Sequence, residues 1–297
     1  MRLHDYLDFQ AREHPQACFA VQGDRHVTYR EAVAESNRLA NAFVSAGLNV
    51  GDRVAVLSKN SIEYAILFFA ASKAGVAPVP LNYRLALPEW AYIINDAQAK
   101  MLIASANYVN SVDEFRGEIA TVKRFVAIDA DGAEGWDDYR RWIAEEPSAA
   151  PERGITEDHD LYQMYTSGTT GHPKGAILTH RAVCAQMAQI SLQTTGGPDE
   201  RVLVVAPLYH AAAAITAFVS IYWGGCLYIQ EDFNPVEVIR ALSEEGIVQA
   251  TLVPAMIQAC LVFVPDIAQR RFDNLRRITY GASPIAEETL RRAVEVF

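Results

Sequence analysis

The run Tyr165-Thr166-Ser167-Gly168-Thr169-Thr170-Gly171-His172-Pro173-Lys174-Gly175 decides how the rest of the chain is read. It packs three glycines, a cluster of hydroxyl side chains and a single lysine into eleven residues. An apolar, strand-like stretch from Leu161 to Tyr165 feeds it, and a helical pattern begins at about His180. A polar, glycine-rich turn between a strand and a helix can aim backbone N–H groups inward as a nest for anionic oxygens. Glycine lets the backbone come close, hydroxyls supply directional donors or a metal ligand, and lysine adds a compact positive charge. A polyphosphate asks for those things. The run is not a Walker P-loop, which has Gly directly before Lys and Ser or Thr after it; here Pro173 precedes Lys174 and Gly175 follows. Gly168-Thr169-Thr170-Gly171 also lacks the G-x-G-x-x-G spacing of a dinucleotide fingerprint. A loop of small polar residues is the plain alternative, but flexibility alone does not call for lysine and proline at fixed places.

With 297 residues, 51% apolar and 21% charged, the chain has the composition of an ordinary globular protein of one large or two medium domains. Its net charge of −10 argues against general nucleic-acid binding, which depends on excess Lys and Arg. A local nest can still hold a nucleotide within an acidic protein. Cys18, Cys184, Cys226 and Cys260 lie far apart with no metal-ligand spacing, and reduced thiols in a cytoplasmic protein are expected. The N-terminus lacks the apolar core of a signal peptide. The most apolar stretch, 202–229, is broken by Pro207, His210 and Gly224-Gly225, so no transmembrane segment is expected.

Along the chain, strands alternate with helices. Thr28-Tyr29-Arg30-Glu31 is a capping box that opens a helix closing at Gly47. Arg53–Leu57 reads as a buried strand, and Asn60 to Glu63 as an Asx-type cap for a helix ending near Gly75. Further strands are expected at 76–80, 100–104 and 124–128, with a helix from Pro88 to about Asn95. An acidic, Ala- and Pro-containing join spans 131–157. We therefore expect an α/β protein with a first lobe at 1–157 and a second at 158–297 carrying the loop. Strands at 161–165, 202–206, 226–229, 250–253 and 277–280 complete the second lobe, and Asn234-Pro235 starts a helix ending at Gly246. A last helix is expected from Ser283-Pro284 to Phe297, ending mid-pattern as a cut chain would.

The eleven-residue run resembles the phosphate loop of the adenylate-forming enzymes, the acyl-CoA synthetases, luciferases and peptide-synthetase adenylation domains. Pro207-Leu208-Tyr209-His210-Ala211-Ala212 resembles that family's aromatic–His turn, and Tyr280-Gly281-Ala282-Ser283-Pro284 its third signature. The resemblance implies two mostly parallel sheets flanked by helices, the N-terminal portion of the fold without its small C-terminal lid domain. It also implies that a carboxylate attacks the α-phosphorus of ATP, giving an acyl-adenylate and pyrophosphate, and that a thiol, usually coenzyme A, then displaces AMP. No protein nucleophile is required; positioning and charge stabilisation suffice. Lys174 and His210 are the catalytic residues so implied. Thr166, Ser167, Gly168, Thr169, Thr170, Gly171 and Lys174 would hold ATP phosphates, Thr166 would ligate Mg²⁺, and Gly281, Ala282 and Ser283 would meet adenine and acyl group. Segments of the family beyond the third signature are missing, so a fragment of a longer ligase, not fully active alone, is expected. No acid stands near Ala211–Thr216 to pair a substrate ammonium, which favours an uncharged tail, a fatty or other hydrophobic acyl chain, with aryl acids open. The oligomeric state, homodimer included, is open. The rival readings are a non-catalytic nucleotide- or acyl-binding module derived from such a ligase, and an unrelated phosphate-binding protein such as a kinase.

Overall fold

A computed structural model describes residues 1–166, 172–194 and 196–297. In chain order the strands are β1 (Cys18–Gln22), β2 (Arg25–Thr28), β3 (Arg53–Leu57), β4 (Ala77–Pro80), β5 (Met101–Ser105), β6 (Arg124–Ile128) and β7 (Asp137–Asp138). They continue as β8 (Asp160–Thr166), β9 (Lys174–Thr179), β10 (Arg201–Val204), β11 (Cys226–Ile229), β12 (Ile247–Leu252) and β13 (Arg277–Tyr280). One sheet runs β4-β3-β5-β6-β7 and is parallel throughout. The second runs β13-β12-β10-β11-β1-β2, parallel except for the β1–β2 hairpin. The two mostly parallel sheets flanked by helices are those the sequence implied.

The expected lobe boundary at residue 157 places residues 18–28 in the first lobe. Their strands are hydrogen-bonded into the second sheet, with Ala20 opposite Leu227 and Val21 opposite Tyr228. Strand pairing across some two hundred residues leaves no local mark in the sequence. The same pairing brings Cys18 and Cys226 together as a disulfide, Cα–Cα 5.2 Å, while Cys184 and Cys260 are free and buried. Four reduced thiols were expected.

Helix Ile62–Ala74 is buried at every residue, because IEYAILFFAASKA presents no polar stripe. It stands between the sheets. Phe68 stacks on Tyr64 (5.5 Å) and meets Phe218 of helix Ala211–Tyr222 edge-on (5.3 Å), and Phe69 meets the same ring at 6.0 Å. One continuous core contains Val54, Val56 and Ile103 of the first sheet with Ala20, Val204 and Ile229 of the second. Gly75 ends the helix at φ 75°, where a Cβ would run into Ile155. The helix begins at Ser61, whose hydroxyl accepts from the Tyr64 N–H at 3.0 Å, and not at Asn60 as expected. The last helix is Glu287–Val296; the chain uses 281–286 to turn away from β13, so Ser283 and Pro284 lie outside it.

The N-terminal helix Leu3–Glu13 staples both halves. His4 Nδ1 lies 2.7 Å from Ser72 Oγ, the Leu3 N–H donates to His180 Nδ1 at 3.2 Å, and the two imidazoles sit edge-to-face at 6.3 Å. Burial, aided by the Arg2 charge, holds His4 down at about 3 and His180 at about 4. In the unfolded chain both titrate near 6.5. The unfolded state therefore binds more protons in between, so this contribution is complete above pH 6.5 and drains as pH falls toward 4. We predict a thermal midpoint that drops between pH 6.5 and 5, with a shallower drop for His180→Gln. Equal slopes for the two proteins by calorimetry would contradict the assignment.

Candidate functional site

Strands of an open parallel sheet place their loops at their carboxyl ends, and ligands collect there. The loops after β10, β12 and β13 meet around a cavity of about 390 Å³. Its wall takes Pro207, His210 and Ala211–Ala213 from the first, Val253 and Met256 from the second, and Gly281 and Ala282 from the third, with Thr279 and Tyr280 of β13. Two of the expected signatures, distant in sequence, thus share one cavity. Ser283 is exposed and is not part of this wall.

His210 is exposed toward the cavity, while its ring packs on Tyr209 with centroids 4.3 Å apart. Loss of water on that packed side, then the Arg84 charge, lower its pKa from the ordinary value. Tyr209 is held in turn by Tyr83, edge-on at 5.2 Å, and the Tyr83 hydroxyl donates to Asp232 at 3.1 Å. Arg84 lies over the Tyr83 ring at 5.5 Å and lines the same cavity. Arg84 was not singled out from the sequence; it sits just after β4, in a loop with no strand-end motif of its own. Small side chains at 211–213 keep the wall open. Ala282 adopts φ 68°, a left-handed conformation that costs a non-glycine residue about 1 kcal/mol. That turn folds residues 281 and 282 against the cavity.

The phosphate-loop segment differs from expectation in one respect. The helix starts at His180 as expected, but residues 174–179 before it form β9, an antiparallel partner of β8. Lys174 therefore lies on a strand, directly opposite Thr166, and both are exposed. Residues Lys174–Thr179 do not alternate in exposure, so this strand carries no period-two mark in the sequence. Tyr165 pairs with Gly175, where a Cβ would collide with the Gln163 amide and the Tyr165 ring. The Tyr165 hydroxyl donates to Asp96 Oδ2 at 2.5 Å, and Tyr92 stacks on His172 at 5.0 Å. Ser167, Gly168, Thr169, Thr170 and Gly171, and with them the expected nest, lie outside the described residues. Thr166 and Lys174 are not in the wall of the His210 cavity.

Magnesium favours six oxygen ligands, including carboxylate and phosphate. Among the described residues no group of three or more His, Cys, Asp or Glu could hold a metal ion, and Thr166 contributes one hydroxyl. The described residues alone do not form a magnesium site. Among the described residues, no helix is long and apolar enough to cross a membrane.

Because Ala282 holds a left-handed conformation, enlarging its side chain has a defined effect. Ala282→Val is expected to lower stability by about 1–2 kcal/mol, since a β-branched residue strains that conformation further. Denaturant titration measures it; an unchanged midpoint would refute the strain.

Residues 7–297 match the model of the AMP-binding enzyme family. The chain is 32% identical to a long-chain-fatty-acid–CoA ligase, FadD13, of Mycobacterium tuberculosis, over 93% of this chain and 54% of that protein. It is 32% identical to a feruloyl-CoA synthase of Amycolatopsis, over 96% of this chain and 55% of that one. It superposes on an inhibitor-bound N-terminal domain of FACL13 from M. tuberculosis with a TM-score of 0.90, at 29% identity, covering 98% of this chain and 72% of that domain. The chain spans about half the length of the curated relatives it matches. With residues 7–297 matching its model, the chain belongs to the AMP-binding enzyme family.

Proposed function

We propose that this chain supplies the nucleotide- and acid-binding part of a ligase that activates a hydrophobic carboxylic acid. A carboxylate oxygen attacks the α-phosphorus of ATP, the bond to the β-phosphate oxygen breaks, and pyrophosphate leaves. A thiol such as that of coenzyme A then attacks the acyl carbon; AMP leaves with the C–O electron pair, and the thiol proton passes to solvent. The observation that carries this reading is the His210 cavity, where an imidazole stands over an apolar wall of small residues.

In this reading His210 and Arg84 orient the carboxylate at the cavity mouth, and Ala211–Ala213 leave room for the acyl chain. A depressed pKa keeps His210 neutral near pH 7, able to donate or accept one hydrogen bond without trapping the acid as a tight ion pair. Gly281 and Ala282 form a small-residue edge for adenine and acyl group, with Ser283 beyond it. Lys174, with Ser167, Gly168, Thr169, Thr170 and Gly171, holds the β- and γ-phosphates. Thr166 offers one oxygen to a Mg²⁺ ion arriving with ATP. Among the described residues lining the cavity there is no carboxylate, so an uncharged tail is favoured over an ammonium-bearing one. The named activities of the relatives, on fatty acids and on ferulate, span both chain types left open here.

Two measurements test this. Lys174→Ala should weaken pyrophosphate or ATP binding about tenfold or more by calorimetry, the size of one lost charge-assisted contact, without changing the unfolding midpoint. Unchanged affinity would remove the hairpin from the phosphate site. Ala212→Trp fills the cavity and should weaken binding of a long-chain acid while leaving pyrophosphate binding as it was. Equal long-chain affinity in both proteins would place the acyl chain elsewhere.

A further inference from the structure

Beyond Val204 the β10 chain leaves its ladder, so the backbone groups of 206–210 need other partners. One side chain of the other half of the molecule meets that need. Asn60 follows β3 and is 2% exposed. Its Nδ2 donates to Ala206 O at 3.1 Å and to Gln230 O at 3.2 Å, and its Oδ1 accepts from the Leu208 N–H at 2.8 Å. Its own N–H donates to Glu231 O at 3.2 Å. Gln22 fixes Asn60 from behind: its Nε2 donates to Asn60 O at 3.2 Å, and its Oε1 accepts from the Ile62 N–H at 3.1 Å. From the anchored segment the bonding continues into the site. The His210 N–H donates to Pro207 O at 3.0 Å, and His210 O accepts from Ala213 and Ala214 at 3.1 Å each.

We propose that Asn60 is a positioning residue for the His210 turn, its amide fixing the Ala206–Leu208 backbone and through it the imidazole and the cavity wall. Only a side-chain amide of this length offers two donors and one acceptor in the required directions. An alkyl side chain would leave two carbonyls and an N–H buried without partners. The role needs the first sheet to be docked on the second, so Asn60 ties the geometry of the turn to the seam between them.

The inference rests on the reading of His210 as a site residue, and its tests do not depend on phosphate binding at Lys174. In the whole chain, native-state hydrogen exchange of the Leu208 amide should be slower than the unprotected rate by at least about a hundredfold, as for a buried, bonded group. Exchange at the unprotected rate would overturn the proposal without any substitution. The His210 titration, assigned by loss of its NMR signal in His210→Gln, provides the second reading. In Asn60→Ala it should move upward toward the ordinary histidine range as the ring loses its packed seat; Arg84 and Tyr209, the groups facing it, are unchanged in composition. Gln22→Ala removes only a support of Asn60 and should move His210 less. A His210 titration unmoved by Asn60→Ala would show that Asn60 has no hold on the turn.

Discussion

A wholly buried helix is the constraint to which the rest of the molecule answers. Residues Ile62–Ala74 carry three polar side chains into the interior along with their apolar ones, and each is matched by residues from outside the helix. Glu63 is paired by Arg25 at 2.6 Å and Arg140 at 3.1 Å, Ser72 by His4, and Lys73 by Asp8 and Asn37 at 2.6 Å each. An unpartnered charge at these positions would be costly, so only one arrangement of the surrounding hairpin, N-terminal helix and first-lobe helices satisfies all three. The aromatic contacts of Phe68 and Phe69 with Phe218 then set helix Ala211–Tyr222 against it. That second helix begins at the His210 turn, so core packing and site geometry share a border.

Much of this order was legible. Parallel strands buried on both faces write themselves as short β-branched runs, and caps such as Thr28–Glu31 and Asn234-Pro235 mark helix starts by chemistry that acts within four residues. The three signature segments were found because glycine, histidine and proline at strand ends are rarely interchangeable, and the structure does bring two of them around one cavity. What escaped notice acts over long distance. Asn60 was read as a cap because Asn before an apolar run is common at helix starts, whereas its partners lie 146 and 148 residues away. Arg84, the Cys18–Cys226 pair and the seat of β1 in the far sheet depend on tertiary placement in the same way. The β8–β9 hairpin escaped for a local reason: 174–179 shows no alternation of exposed and buried residues to mark a strand.

The two candidate binding regions differ in how they are held. The cavity wall is braced by aromatic stacking and by backbone bonds running into the interior. Thr166 and Lys174, in contrast, stand exposed on a two-stranded hairpin, anchored below by Tyr165 and Gln163. An apolar group gains most from a preformed recess, whereas a mobile, highly charged one can be met by side chains in solvent. In the proposed ligase, that division would suit an acid that must be aligned and a triphosphate released as pyrophosphate.

The parallel pairing of β1 with β11 also bears on how the chain is made. During translation the first hairpin emerges early, but the residue that faces Cys18 follows 208 positions later. At roughly 5–20 residues per second the ribosome takes about 10–40 s to deliver it. Throughout that interval one edge of β1 has no strand beside it, and the first parallel sheet can assemble completely before the second can close. Vectorial synthesis thus separates in time two sheets that the finished core treats as one.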